Sequence, residues 1–491
     1  MRMKVGLMKV TIMLLSNSCN CRAILWLKRM KTLKWAAICL TLACALAIPA
    51  HASTIIVTNT NDSGVGSLRQ ALADANDGDT IDATGISGAI ALTSGELLVD
   101  KSVTINAAGA DVLAVDGNAT SRVFQIGTGE TVTISGLTIR NGHDDTTGGG
   151  IDNESGATLT ITNSTLSGNT AGSVGNPSVE GGGIFNNGTL TIVNSTVSGN
   201  TAGGISGGGG GMFNGGTLTI VNSTVSDNTA IKGAGVHNGG AATSTVTITN
   251  STFSGNAASV YGGACFNGGT LQIANSTLSH NSAGTFGGGI LNFGPLEIGN
   301  TILNRGDSGE NIHSFGGTIT STGYNLSSDD GGGFLTGPGD QINTDPMLGP
   351  LQGNGGLTFT HALLPGSPAI DMGDPNFTPP PFFDQRGSGF SRVVNGRIDI
   401  GSFEVQTQTV AIHLRALGSK VGGINTVRLT WTGATSNNID VNRDGVVIAT
   451  VPNTGTYIDS TGDTGRARYT YEVCEAGTSS CSNKVTVRFR H

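Results

Sequence analysis

The chain is poor in charge and in aromatic rings. Of its 491 residues, 12% are Asp, Glu, Lys or Arg and 5% are Phe, Trp or Tyr, which is not the composition of an ordinary globular domain. Cations are scarcest in the middle, where Asn141 to Asn304 holds one lysine, Lys232, and no arginine. The first 52 residues carry eight Lys or Arg and no acid, so the net charge of −8 leaves 18 minus 34, or −16, on the remainder. Such a surface repels a phosphate backbone, and no nucleic acid partner is expected. Long apolar runs are also missing after residue 52, which leaves no candidate membrane span in the mature chain. Helical periodicity is nearly absent.

What fills the space is glycine, 78 residues of it, together with a repeat. Asn-Ser-Thr-Leu-Ser-Gly-Asn begins at Asn163, and close copies begin at Asn194, Asn222, Asn250 and Asn275, with a decayed one at Asn300. The steps are 31, 28, 28, 25 and 25 residues, a period that belongs to stacked repeats. Each copy holds three short runs: an alternating one such as Thr189-Leu190-Thr191-Ile192, the Ser-Thr-Val-Ser run, and a Gly-Gly-Gly-Ile-Phe-Asn run such as Gly181 to Asn186. Alternation rich in Thr, Val and Ile is strand patterning, and three strands per turn predict a parallel β-helix.

Three sets of asparagines recur with the repeat. One is Asn163, Asn194, Asn222, Asn250, Asn275 and Asn300, the second begins at Asn169, and the third at Asn153. They mark three corners, where Asn tolerates left-handed backbone and its amide can bond to the next rung about 4.8 Å away. The first set is read as a structural asparagine ladder; Asn-Ser-Thr is also a glycosylation sequon. The first-to-second corner step is always six residues, whereas the second-to-third takes 17, 14, 10, 11 and 11. Longer connections therefore gather on one edge, which carries Val174, Pro177, Val179, Ile205, Ile231, Lys232, Tyr261 and Phe286. Variable loops on a rigid scaffold are where binding residues usually sit, and the bland alternative is that these residues pack the loops down.

In chain order, Lys31 and Lys34, the apolar run Trp35 to Ile48 and Ala50-His51-Ala52 form an export signal, so cleavage is expected after Ala52 and the product is expected to be secreted or on the cell surface. Residues 1–29 are either an over-extended start or a long charged leader. Ser67 to Asn76 is the one convincing helix, placed to cover an open solenoid end. From Ser53 to about Asn343 the period predicts roughly 11 or 12 rungs. Prolines appear from Asn343 to Glu404, and Thr409 to His491 reads as six or seven strands of a β-sandwich. Cys474 and Cys481 suit a disulfide in an exported protein, and Cys265 is left facing the solenoid core.

Several segments carry resemblances. Ser67-Leu68-Arg69-Gln70-Ala71 is similar to the Cys-Ser-Leu-Arg-Glu-Ala module of bacterial secreted proteins, with Gly66 and Gln70 at the Cys and Glu positions. Gly262-Gly263-Ala264-Cys265 and Phe253-Ser254-Gly255-Asn256 resemble repeats of the polymorphic outer-membrane protein adhesins. Asp345-Pro346, Asn354-Gly355-Gly356, Leu364-Pro365-Gly366-Ser367-Pro368-Ala369-Ile370-Asp371, Asp384-Gln385-Arg386-Gly387 and Arg397 to Glu404 together resemble the choice-of-anchor Q domain, read as the C-terminal closure of the solenoid. Trp431 and Tyr469-x-Tyr471-x-Val473 resemble a fibronectin type III module.

The resemblances imply an all-β protein: a right-handed parallel β-helix with an N-terminal helical cap, then a small C-terminal β-sandwich. The division is leader 1–52, β-helix 53–342, closure 343–405 and sandwich 406–491. The function read from this is non-enzymatic adhesion or binding of glycans or host matrix components through the loop edge. Polysaccharide lyases and hydrolases share the fold and are the alternative, but the repeat body's acids are sparse, and Gly142-His143-Asp144-Asp145 precedes Asn343-Thr344-Asp345, the reverse of the pectin hydrolase order. Asp440-Val441-Asn442-Arg443-Asp444-Gly445 imitates a calcium loop, yet its twelfth position is Val451, so a hairpin turn is simpler. No catalytic residue, metal or cofactor is expected.

Overall fold

The structure is a computed structural model that describes residues 52–172, 176, 179–239, 243–406, 412–477 and 481–490. The export signal, Val174 and Pro177 lie outside the described residues.

Three parallel sheets wind along residues 54–327. The first holds 11 strands, from Thr54–Ile56 to Ile319–Gly323, so ten turns separate its ends, a length of ~48 Å. Register is kept from rung to rung: Leu159, Leu190, Leu218, Val246 and Leu271 lie over one another, as do the corresponding isoleucines. These inward residues are buried, with Leu166, Val197, Val225 and Phe253 of the second sheet and Ile184, Met212 and Val236 of the third, in one continuous cluster. Alternation puts one apolar residue in and one hydroxyl or carboxamide out, which is why so little aromatic mass fills so long a core. The glycine tract has a steric cause. A Cβ at Gly182 would lie 2.3 Å from the Thr201 carbonyl of the next rung.

The corners carry ladders of polar groups, continuous in the second and third asparagine sets and only partial in the first. Asn163, Asn194, Asn222, Asn250 and Asn275 all have φ near +50°; this left-handed bend turns Asn163 outward into solvent and the following serine inward. Ser164, Ser195, Ser223, Ser251 and Ser276 are buried, and each of the first four donates its backbone N–H to the next serine Oγ at 3.1–3.2 Å. The inward asparagine ladders are the other two sets. Asn169, Asn200, Asn228, Asn256 and Asn281 pass Nδ2–H to Oδ1 at 2.8–3.0 Å, and Asn153 through Asn292 do the same at 2.7–3.0 Å. The first-set asparagines pair less regularly, at 2.7 Å from Asn250 to Asn222, 2.9 Å from Asn300 to Asn275 and 3.4 Å from Asn194 to Asn163.

Ser67 caps the helix Leu68–Asp74, accepting from Gln70 N–H. Leu68, Ala71 and Leu72 join the solenoid core, while Arg69 donates to the Gly95 and Glu96 carbonyls and pairs with Asp62 at 2.7 Å. After the last turn, Leu335 joins the same core and Phe334 packs against it.

Residues 343–405 do not close the end of the coil. They run back as a strap along the outer face of the second sheet, where Thr224 donates to Phe359 O at 2.6 Å, Thr252 to Gln385 Oε1 at 2.6 Å, and Ser402 N–H donates to Thr277 Oγ1 at 3.1 Å. Leu363, Ala369, Ile400 and Phe403 pack there on Ile302 and Leu326. The strap's interior is ionic: Arg386 pairs with Asp384 at 2.5 Å between the rings of Phe390 and Phe403, and Arg392 and Glu404 are fully buried.

Beyond it, residues 413–489 form a three-stranded and a four-stranded antiparallel sheet that share one buried cluster of Leu414, Val427, Leu429, Trp431, Ile439, Val441, Tyr471 and Val473. His413–Val421 is a strand the sequence reading lacks. Asp444-Gly445 is the turn of a hairpin, with φ of 52° and 84°, and Cys474 is bonded to Cys481.

Truncating Asn228 to Ala leaves the Asn200 amide and backbone N–H without their shared acceptor, so urea unfolding should show a loss of about 3 kcal/mol. Asn194→Ala, which strains the bend but removes no inward bond, should lose only about 1 kcal/mol.

Candidate functional site

The second sheet's outer face is divided by the strap. Its outward positions stay in register through Thr165, Thr196, Thr224, Thr252 and Thr277. Thr224, Thr252 and Thr277 are buried beneath the strap, whereas Thr165 and Thr196 remain accessible. The uncovered rungs floor a groove of about 810 Å³, walled by Ala107 to Asp111 at one end and by Gly356 and Leu357 of the strap at the other. Thr138, Arg140, Thr165, Ser167 and Thr196 line the floor, and Asn163 and Asn194 form its rim. The groove is therefore hydroxyl- and carboxamide-lined, with one cation, Arg140, already paired to Asp116 at 2.8 Å. A second, smaller concavity beside it includes Asp116, Asn141 and His143. No single motif marks this groove, because its floor comes from three repeats and its walls from segments about 250 residues apart; the signal available was the sharing of outward hydroxyls by successive rungs.

The loop edge is a paired ladder over part of its length. Thr170–Ala171, Thr201–Ala202, Thr229–Lys232 and Ala257–Tyr261 pair in succession as a continued ladder, and single bridges join Glu180 to Gly208 and Gly208 to Lys232. Val179 is fully buried there with Ala171, Ala202, Ala230, Ala258 and Ala283, so its side chain packs the edge down and offers nothing to a ligand. Ile205 is 68% exposed. Tyr261 stacks on Phe286 at 6.3 Å, and Phe286 on His313 at 4.4 Å.

Those rings join an aromatic column on the third sheet. Phe185, Phe213, His237 and Phe266 occupy the outward position just before each third-set asparagine and touch in sequence at 4.7–5.2 Å. Phe293 and Phe315 extend it and are 44% and 55% exposed. The periodic placement before the asparagine was the signal for this column. Burial pushes the His237 imidazole down to about 3, with Lys232 adding to it, so His237 is a neutral ring within the stack.

At the other end of that face Asp152 lies in register with Phe185. Arg122 gathers Glu96 at 2.8 Å, Asp144 at 3.0 Å and Asp152 at 3.8 Å. Burial pushes the Asp152 carboxyl up to about 6, against the pull of Arg122 and with help from Glu154, Asp144 and Glu96. The two hydrolase-like segments stay apart: His143 follows the fourth first-sheet strand and Asn343 the eleventh, seven rungs or ~34 Å along the coil. Among the described residues the one cluster with metal-ligand geometry is Glu472, Cys474 and Cys481, whose cysteines are consumed by the disulfide. Burial also pushes the Cys265 thiol up to about 12, and it sits unpaired in the core as read from sequence. No helix among the described residues is long and apolar enough to cross a membrane.

Comparison with known proteins returned no match: no family model fits the chain, and no curated protein or solved structure is significantly similar to it.

Because the folded carboxyl of Asp152 titrates above its unfolded value of 3.8, ionising it costs stability that is present at acid pH and lost as pH rises through about 6. Asp152→Asn should raise stability at about pH 8 by on the order of 1 kcal/mol and flatten the change between about pH 4 and pH 7, measured by urea unfolding across pH.

Proposed function

We propose that the protein is an exported, non-enzymatic, surface-associated or secreted rod that binds carbohydrate or matrix glycans in the groove on its second face. The observation that carries this reading is the groove itself: a concave, open floor of Thr and Ser hydroxyls repeated every ~4.8 Å with almost no net charge. A sugar polymer is likewise a repeating array of hydroxyls, and a periodic floor can meet it at successive units. Loops on a rigid frame hold such contacts in place at little entropic cost. Ile205, Tyr261 and Phe286 on the loop edge are secondary contact positions.

In the same reading the coil is right-handed, as parallel crossovers overwhelmingly are, and the helix Leu68–Asp74 is the lid of its first turn. Residues 343–405 act as a choice-of-anchor-like strap, and the C-terminal sheets as a fibronectin type III-like module. Export by cleavage after Ala52 delivers this rod outside the membrane. One observation favours the lyase or hydrolase alternative: a carboxyl held near pH 6 beside Arg122 has the titration that general acid chemistry uses.

Ser167→Trp should fill the groove floor, leave the far-ultraviolet spectrum unchanged and abolish binding on a glycan array, while Ile205→Ala retains most of it. Retained binding by Ser167→Trp would remove the groove from the reading. Release of unsaturated or reducing ends from polysaccharides by the parent, lost in Asp152→Asn, would favour the enzyme instead.

A further inference from the structure

Where the strap covers the second face, the protein displays what its outward threonines bind. The Gln385 side chain is buried across two rungs. Its Nε2 donates to Thr224 Oγ1 at 3.1 Å and to the Ser223 carbonyl at 3.2 Å, while its Oε1 accepts from Thr252 Oγ1 at 2.6 Å. One planar carboxamide thus spans two threonines one rung apart, its carbonyl on Thr252 and its N–H end shared by Thr224, the Ser223 carbonyl and the strap's own Thr358 and Phe359. The rest of the strap uses the same vocabulary, with the Phe359 carbonyl accepting from Thr224 and the Ser402 N–H donating to Thr277.

Thr165 and Thr196 repeat this pair in the groove. They stand in direct parallel register with each other and with Thr224, and each is preceded by a ladder serine as Thr224 and Thr252 are. The asparagines two residues before them share the left-handed φ of those before Thr224 and Thr252, and the strap residues lining the groove beside them are Gly356 and Leu357, which carry no carboxamide. The groove is the continuation of an interface the chain has already filled with its own amide.

We infer that the Thr165/Thr196 pair is an amide-reading subsite, and that the glycan of the groove carries acetamido groups. The acetamido carbonyl takes the place of Oε1 on Thr196; its N–H, which a secondary amide holds anti to that carbonyl, meets a rim carboxamide oxygen, and Thr165 Oγ1 takes a hydroxyl of the same sugar. Asn163 and Asn194 at the rim add carboxamides beside the same subsite. A neutral N-acetylated sugar polymer also suits a floor whose one cation is already paired. The inference rests on the carbohydrate reading above and narrows it to one substituent.

The test is calorimetric titration of the full mature chain with three β-1,4-linked oligosaccharides of equal length: N-acetylglucosamine, glucosamine and glucose oligomers. The N-acetylated oligomer should bind at least about ten-fold more tightly than the other two, the loss of two hydrogen bonds. Thr165→Val and Thr196→Val, which keep strand shape, should each weaken it about five-fold, while Thr229→Val on another face leaves it unchanged and thermal unfolding verifies that all three fold. Equal binding of the acetylated and plain glucose oligomers would overturn the amide subsite and leave the carbohydrate reading standing. Binding of none of the three, with none on a wider glycan array, would overturn both.

Discussion

Each turn of this coil must bend three times, and each bend points backbone and side-chain polar groups at an apolar core that cannot satisfy them. The protein's solution in the repeat turns from Asn153 to Asn292 is to place the same polar group at the same bend, so that each one is the partner of the next. Asn200 accepts two hydrogen bonds from Asn169, through its backbone N–H and its Nδ2, and repeats both toward Asn228. The serine hydroxyls do this at the first corner, accepting the N–H of the preceding rung while donating to the carbonyl two residues back. A ladder of serines and a ladder of asparagines fix both ends of the invariant six-residue step between first and second corners. Ladders also bound the second-to-third connection, which nonetheless varies most, while the third-to-first connection runs 10, 8, 8, 12, 8 and 8 residues from Asn153 to Asn300.

The triangular coil was legible because its corner residues and its alternation recur with the repeat. The direction of each corner side chain was not. Asn163 and Asn169 are the same residue type at neighbouring bends, yet the first has φ of 49° and points out while the second is buried; the difference is set by backbone sign, which composition does not display. The strap was legible as a unit but not in its location. Thr196-Val197-Ser198 and Thr224-Val225-Ser226 are identical triplets at equivalent positions, and only the second is covered. Nothing local could separate them, because the covering residues lie about 130 positions downstream.

That contrast also gives the candidate site its meaning. A uniform hydroxyl face becomes a bounded groove only because the chain lays part of itself over five rungs, from Thr224 to Leu326, and stops. The charged residues of the strap have a structural task here: Arg386 pairs with Asp384, Arg392 donates to the Asp399 and Gly401 carbonyls, and Gln385 and Ser402 reach down to the threonines. Burial pushes Glu404 up to about 8, with Asp399 adding to it against Arg392. Along the aromatic column of the third sheet Phe185 and Phe213 stack face to face, His237 meets Phe213 and Phe266 edge-on, and the rings are most open at Phe293 and Phe315.

Hydrogen exchange read by mass spectrometry reaches the ladders most directly. If the corner groups are mutual partners, the amides of Ser164, Asn169, Ser195, Asn200, Ser223 and Asn228 exchange as slowly as those of the flanking strands Thr189–Val193 and Thr217–Val221. Corner amides that exchange at the rate of open turns, while the strands between them stay protected, would contradict the account.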